Sequence, residues 1–168
     1  MFLSNHTILK RKDKSEIFID DSGAPIHNES GKIVGGVLIF RDITEKKIVE
    51  DRLAEAEKRF NTIFNISPIG IAISTFDDGV YLDVNDAYCK LVGLKSEDIK
   101  GKKSTELNIF KVEEREKLIE QFRLSNHQVK DLEIQIKNVH GEKIDVLFSI
   151  EGIEINQKKC FVTYLVNI

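Results

Sequence analysis

Three observations predict an α+β protein built on antiparallel sheet. Short apolar or alternating stretches recur on both sides of one long helical stretch, divided by turns bearing Gly, Asn and Asp. The helical stretch, residues 45–66, carries Val49, Leu53, Ala56, Phe60 and Ile63 at spacings of four, three, four and three, the period at which one helix face meets another helix. The last three strand-like segments also repeat the first three in order and turn placement, and an internal repeat sets architecture.

Composition narrows the function classes. At 168 residues, with 41% hydrophobic and 32% charged residues, the chain is an ordinary globular sequence of one domain or one and a fraction. A net charge of −3, with basic residues scattered among acids, leaves no electrostatic footprint for nucleic acid. The apolar runs are shorter than the roughly 20 residues that span a bilayer, and the start lacks a signal-peptide pattern, so no membrane contact and a cytoplasmic location are expected. The two cysteines, Cys89 and Cys160, sit in apolar-rich stretches and read as reduced packing residues, with a disulfide as the minor alternative. No metal-ligand spacing occurs; His6, His27, His127 and His140 are far apart in polar contexts.

In chain order, Thr7-Ile8-Leu9 begins a meander, turned by residues 11–15. Residues 16–20 alternate as a second strand, which Ala24-Pro25-Ile26 extends past a bulge expected at Asp21-Ser22-Gly23. Residues 27–32 form a loop and residues 33–40 a nearly all-apolar third strand. Three strands bury too little to fold well alone, so residues 1–44 read as the C-terminal remnant of a domain, either poorly ordered or completing its sheet against another chain. Asp42 or Thr44 caps the following helix, Glu55 and Arg59 pair along it, and Ser67-Pro68 stops it.

Residues 67–168 read as a complete domain. An apolar strand reaches Thr75, Phe76-Asp77-Asp78-Gly79 turns, and Val80 to Val84 pairs back. Asn85 or Asp86 caps a short helix closed by Gly93. Residues 96–99 make a helical turn, and residues 112–124 an amphipathic helix with Leu118, Ile119 and Phe122 on one face. Leu132, Ile134 and Ile136 then alternate with polar residues. Residues 143–155 form a long strand with an irregularity expected at Gly152, and a last apolar strand closes the sequence.

In the repeat, Leu9 to Ile17 lies over Ile136 to Ile144, and Val37 to Ile43 over Val162 to Ile168. From Ile17 to Ile43 is 26 steps and from Ile144 to Ile168 is 24, a difference that falls in the longer loop at residues 27–32.

Phe40-Arg41-Asp42-Ile43-Thr44-Glu45-Lys46-Lys47 resembles the closing strand and Asp-Ile-Thr linker of PAS domains. Val84-Asn85-Asp86-Ala87-Tyr88 and residues 91–102 resemble that family's first strand-to-helix segment. The resemblance covers residues 67–168 throughout and residues 1–44 as a C-terminal third. It implies the PAS fold: a five-stranded antiparallel sheet flanked by short helices, with a pocket between them. It implies a tandem region of a bacterial or archaeal sensor protein, a sensory histidine kinase, whose kinase lies outside this chain. Haem is not expected, because residues 112–124 hold no histidine. A covalent flavin adduct is not expected either, because Cys89 stands in Ala87-Tyr88-Cys89-Lys90 on an earlier helix. The cofactor is therefore left unknown. No phosphate loop or nucleophile elbow appears, so no catalytic residue is assigned.

Two functions follow. In the first, a small molecule occupies a pocket lined by Ile73, Tyr88, Leu118, Phe122, Leu132, Ile134, Ile136, Val146, Phe148 and Thr163. The change passes through Asp42, Ile43 and Thr44 type junctions and the connector helix to an output domain of the same polypeptide. In the second, the chain binds no ligand and acts as an interaction module, forming a homodimer through the Val49, Leu53, Ala56, Phe60 and Ile63 stripe. What separates them is whether the protein's own side chains fill the pocket.

Overall fold

The computed structural model describes residues 7–125 and 128–168. The expected break at Asn126-His127, and the surroundings of His6 and His127, lie outside the described residues. The chain divides into two compact units, Met1–Arg59 and Phe60–Ile168.

The first unit is an antiparallel meander of β1 (Thr7–Lys10), β2 (Glu16–His27) and β3 (Ile33–Asp42), in that spatial order. Short side chains shape both turns. The Asp13 carboxylate accepts the N–H and hydroxyl of Ser15, and the Asn28 side-chain oxygen accepts the N–H groups of Ser30 and Lys32. The bulge expected at residues 21–23 does not form. Gly23 pairs in register with Leu38, and the only β2–β3 shift falls between Ile26 and His27. The glycine makes room instead, since a Cβ on it would lie 3.2 Å from Leu38 Cδ2. Of this sheet's described residues only Ile19 is buried, while Ile33, Val34, Val37, Leu38, Ile39 and Phe40 are exposed.

Helix α1 (Thr44–Ile66) follows at once. Asp42 Oδ1 accepts the Thr44 N–H at 2.9 Å, which helps satisfy the first turn. The Thr44 hydroxyl is used elsewhere, accepting the Phe18 N–H at 3.0 Å. Along the helix, Lys46–Glu50, Lys47–Asp51 and Glu55–Arg59 are ion pairs four residues apart. Largely exposed, each adds a few tenths of a kcal/mol. Val49, Leu53, Phe60 and Ile63 are all at least half exposed, so the stripe is not covered.

The second unit contains β4 (Gly70–Thr75), β5 (Tyr81–Val84), α2 (Asp86–Val92), α3 (Ser96–Ile99), α4 (Val112–Leu124), β6 (Gln128–Lys137), β7 (Lys143–Ile155) and β8 (Lys158–Asn167). Its sheet runs β5-β4-β8-β7-β6, antiparallel throughout. The chain leaves β5 at one edge, passes through the three helices and re-enters at β6 on the other edge. Strand alternation sends Ala72, Ile136, Val146, Phe148, Ile150, Phe161 and Leu165 into one core. Tyr88, Val92, Ile99 and Phe122 close it from the helices. Gly93 ends α2 in the left-handed region, at φ 77°.

Pairing registers make the repeat explicit. Leu9 faces Ile17 as Ile136 faces Ile144, and Ile19 faces Asp42 as Val146 faces Asn167. The Ile43 N–H donates to Phe18 O at 2.9 Å, and at the matching place the Ile168 N–H donates to Asp145 O at 3.1 Å.

No irregularity occurs at Gly152, which pairs directly with Phe161. A Cβ there would lie 2.9 Å from Phe122 Cζ, so the missing side chain is where the Phe122 ring of α4 sits. Gly152→Ala is expected to cost about 1–3 kcal/mol by overpacking, read as a lower urea midpoint with unchanged slope.

Candidate functional site

The site is built around Asn85, a residue whose reading from sequence stops at helix capping. It sits between β5 and α2 and is fully buried. Its Oδ1 accepts the N–H of Ile71 at 2.8 Å and of Tyr88 at 2.9 Å. Its Nδ2 donates to Phe64 O at 3.0 Å and Ile69 O at 2.8 Å. Both lone pairs and both N–H groups are therefore used. One amide joins the last turn of α1, the start of β4 and the first turn of α2. A cap needs only one of these four bonds, so spacing alone could not signal the other three.

Beside it, the Tyr81 and Tyr88 hydroxyls share a buried hydrogen bond of 2.5 Å. Burial pushes the Tyr81 phenol from its ordinary 10.0 up to about 12, and burial raises Tyr88 well above the ordinary value, with the Tyr81 charge adding to it. Tyr88 thus spends its polar end on Tyr81 rather than offering it to a ligand.

Aromatic rings fill the space between helices and sheet. Phe122 meets Phe161 edge-on at 4.8 Å between ring centres, Phe76 lies 4.9 Å from Phe161, and Phe110 meets Phe148 at 5.9 Å. Arg115 closes the rim by donating to Phe76 O at 2.8 Å. What remains is a cavity of about 40 Å³ touched by Ser74, Leu118, Phe148 and Thr163, close to the space of one or two waters.

The roomy opening lies to the side, between α4 and β6. This cleft has a volume of about 680 Å³, within the range of small-molecule sites. Ile109, Phe110, Leu118, Leu132, Ile134 and Ile136 form its apolar lining, and Lys111, Glu114, Lys117, Lys137 and Lys143 stand around them. The Glu114 carboxylate turns back to accept the Lys111 N–H at 3.0 Å, half of a capping box.

The residues singled out from sequence are thus divided among several places. Leu118, Leu132, Ile134 and Ile136 line the cleft, while Phe148 and Thr163 touch the small cavity. Thr163 is buried with Phe161 and Leu165 on one face of β8. Phe122 and Val146 are packed core. Ile73 is a correction. Gly70, Ala72 and Ser74 are the buried residues of β4, so strand alternation puts Ile73 on the other face. Ile109 and Phe110 come from the stretch before α4, which has no periodic pattern to mark it.

Asp42, Ile43 and Thr44 form the other candidate element. Ile43 N–H and Thr44 Oγ1 both bond the backbone of Phe18 in β2, and Arg11 lies 3.4 Å from the Asp42 carboxylate. The Thr44 hydroxyl and N–H hold the exposed Asp42 carboxyl below its usual range. Cys89 and Cys160 are free thiols.

The family model described as a PAS domain matches residues 2–45 and 68–168. The chain belongs to the PAS domain family. Its fold is similar to the PAS domain of an HTR-like protein from Haloarcula marismortui, at 22% identity and a TM-score of 0.63, covering 73% of this chain and 99% of that one. It is also similar to a PAS domain from a two-component sensor histidine kinase, at 18% identity and a TM-score of 0.56, covering 68% and 99%. A domain of a sensory box sensor histidine kinase/response regulator from Geobacter sulfurreducens matches at 17% identity and a TM-score of 0.51, covering 67% and 95%. No functionally curated protein matches. Among the described residues, no helix of this PAS chain is long and apolar enough to cross a membrane.

Asn85→Asp keeps the size and the acceptor oxygen but removes both donors. The Phe64 and Ile69 carbonyls are then left without them, an expected loss of roughly 2–4 kcal/mol in urea unfolding. The tyrosine pair gives a pH dependence. Below pH 10 folded and unfolded chains both keep the Tyr81 proton. Above it the unfolded chain releases a proton that the folded chain holds until about 12. Stability should therefore fall as pH rises through that window, and Tyr81→Phe should flatten the fall in a urea midpoint measured against pH.

Proposed function

We propose that this chain is the sensory and dimerisation part of a multidomain signalling protein, itself non-catalytic, whose output domain is a histidine kinase. The observation that carries the reading is the junction at Asp42-Ile43-Thr44. There two backbone groups of β2 are bonded to the first residues of a long helix whose apolar stripe is exposed. A shift of the sheet cannot leave that helix start where it was. A ligand couples to such a junction only by favouring one of two arrangements of it. The second unit ends its β8 strand with the matching backbone bond at Ile168, so the same coupling is assigned to it. Residues 1–44 are read as the last third of a first PAS unit, residues 45–66 as the connector, and the chain as cytoplasmic and homodimeric through the stripe.

A second reading, a ligand-free module that only dimerises and relays motion, draws on a different observation: phenylalanine rings occupy the centre of the domain. The lateral cleft favours the first. Native mass spectrometry of the purified chain beside a denatured control separates them. A mass excess lost on denaturation supports sensing, and a clean dimer without excess supports the ligand-free module.

Leu53→Asp places a charge in the stripe and should convert a dimer to monomer by light scattering, while the circular dichroism spectrum stays that of the folded chain. An unchanged dimer would sink the paired-helix role.

A further inference from the structure

The lateral cleft carries a charge pattern unlike the rest of the chain. The protein as a whole is acidic, at −3, yet four lysines, Lys111, Lys117, Lys137 and Lys143, line this opening with a single carboxylate, Glu114. That carboxylate is bonded to the backbone of Lys111. None of the four lysines is in an ion pair among the described residues. Of the acids near the two strand lysines, Asp145 accepts from the Gln135 amide at 2.9 Å and Glu142 from the Asn138 amide at 2.7 Å. The rest of the lining is mainly apolar, made by Phe110, Leu118, Leu132, Ile134 and Ile136, with the neutral amides of Asn108, Gln121 and Gln135 beside them.

From this pairing of unneutralised cations with an apolar lining we propose that the cleft binds an amphiphilic carboxylate, hydrocarbon tail against the apolar residues and carboxylate among the lysines. The proposal rests on the ligand-sensing reading above and names its ligand class. A purely ionic ligand would leave the apolar lining in water, and a neutral hydrocarbon would leave four cations without partners. A carboxylate with a tail meets both surfaces at once. Because the lysines are exposed, their attraction is screened. They supply selectivity for the head group, and the apolar lining supplies most of the affinity.

Calorimetric titration of the full chain with decanoate, beside decanol and decyltrimethylammonium, tests this. Decanoate should bind roughly tenfold tighter than either, a difference of about 1.4 kcal/mol, and more weakly when salt is raised. Lys117→Gln with Lys143→Gln should remove most of that preference, and both side chains are exposed, so the fold is kept. Lys95→Gln with Lys158→Gln makes the same charge change outside the cleft and should leave the preference intact. Equal binding of decanol, an equal loss in both double variants, or no binding of decanoate would overturn the proposal. Failure of the ligand class and failure of the sensing reading are distinguishable. A native mass excess that decanoate does not displace leaves sensing standing and removes the carboxylate. Decanoate bound in the cleft, with hydrogen exchange of the Ile168 and Lys47 amides unchanged, leaves the ligand standing and removes the coupling.

Discussion

One amide side chain holds the second unit in its arrangement. Asn85 gives and accepts every hydrogen bond it is able to, and the four go to backbone from three parts of the chain. Backbone groups at a helix end or a strand start need partners when buried, and here four such groups find them in one residue. The position admits no other side chain of that size. Aspartate lacks the donors, leucine lacks everything polar, and glutamine carries its amide one methylene too far. The entry of β4 and the first turn of α2 are thereby joined to the last turn of α1, so turning that last turn about the helix axis breaks the bond to Phe64 O.

Much of the fold was legible because its elements announce themselves by period and punctuation. The Asp78-Gly79 turn, the Asn85 cap, the Gly93 stop and the alternation of Leu132, Ile134 and Ile136 each mark their element through local chemistry. The repeat was legible for the same reason, since equal turn spacings produce equal registers, down to the backbone bonds of Ile43 and Ile168. What sequence misread were the two strand glycines. Gly23 and Gly152 look like breaks along the chain, but each stands opposite a large side chain from another element, and nothing local reveals that.

The candidate site was legible in part. Strand alternation brought Leu132, Ile134 and Ile136 to one face, yet misplaced Ile73, because the buried face of β4 carries the small residues Gly70, Ala72 and Ser74 while the larger isoleucines lie on the other. The location of free space was not legible at all. Five phenylalanines, at 76, 110, 122, 148 and 161, lie far apart in sequence and converge in the middle of the domain. Packing of that kind depends on ring orientation, which no residue count predicts. It leaves the centre closed and the flank beside β6 open.

The ring of Phe122 in the notch at Gly152 has a mechanical consequence. It stands near the C-terminal end of α4, whereas Lys111, Glu114 and Lys117 at the opposite end border the cleft. Arg115, bonded to Phe76 O, and the packed Leu118 and Ile119 hold the middle of the same helix. A helix keyed in this way does not slide along the strand, so pressure on α4 from the cleft is passed to β7 at Gly152.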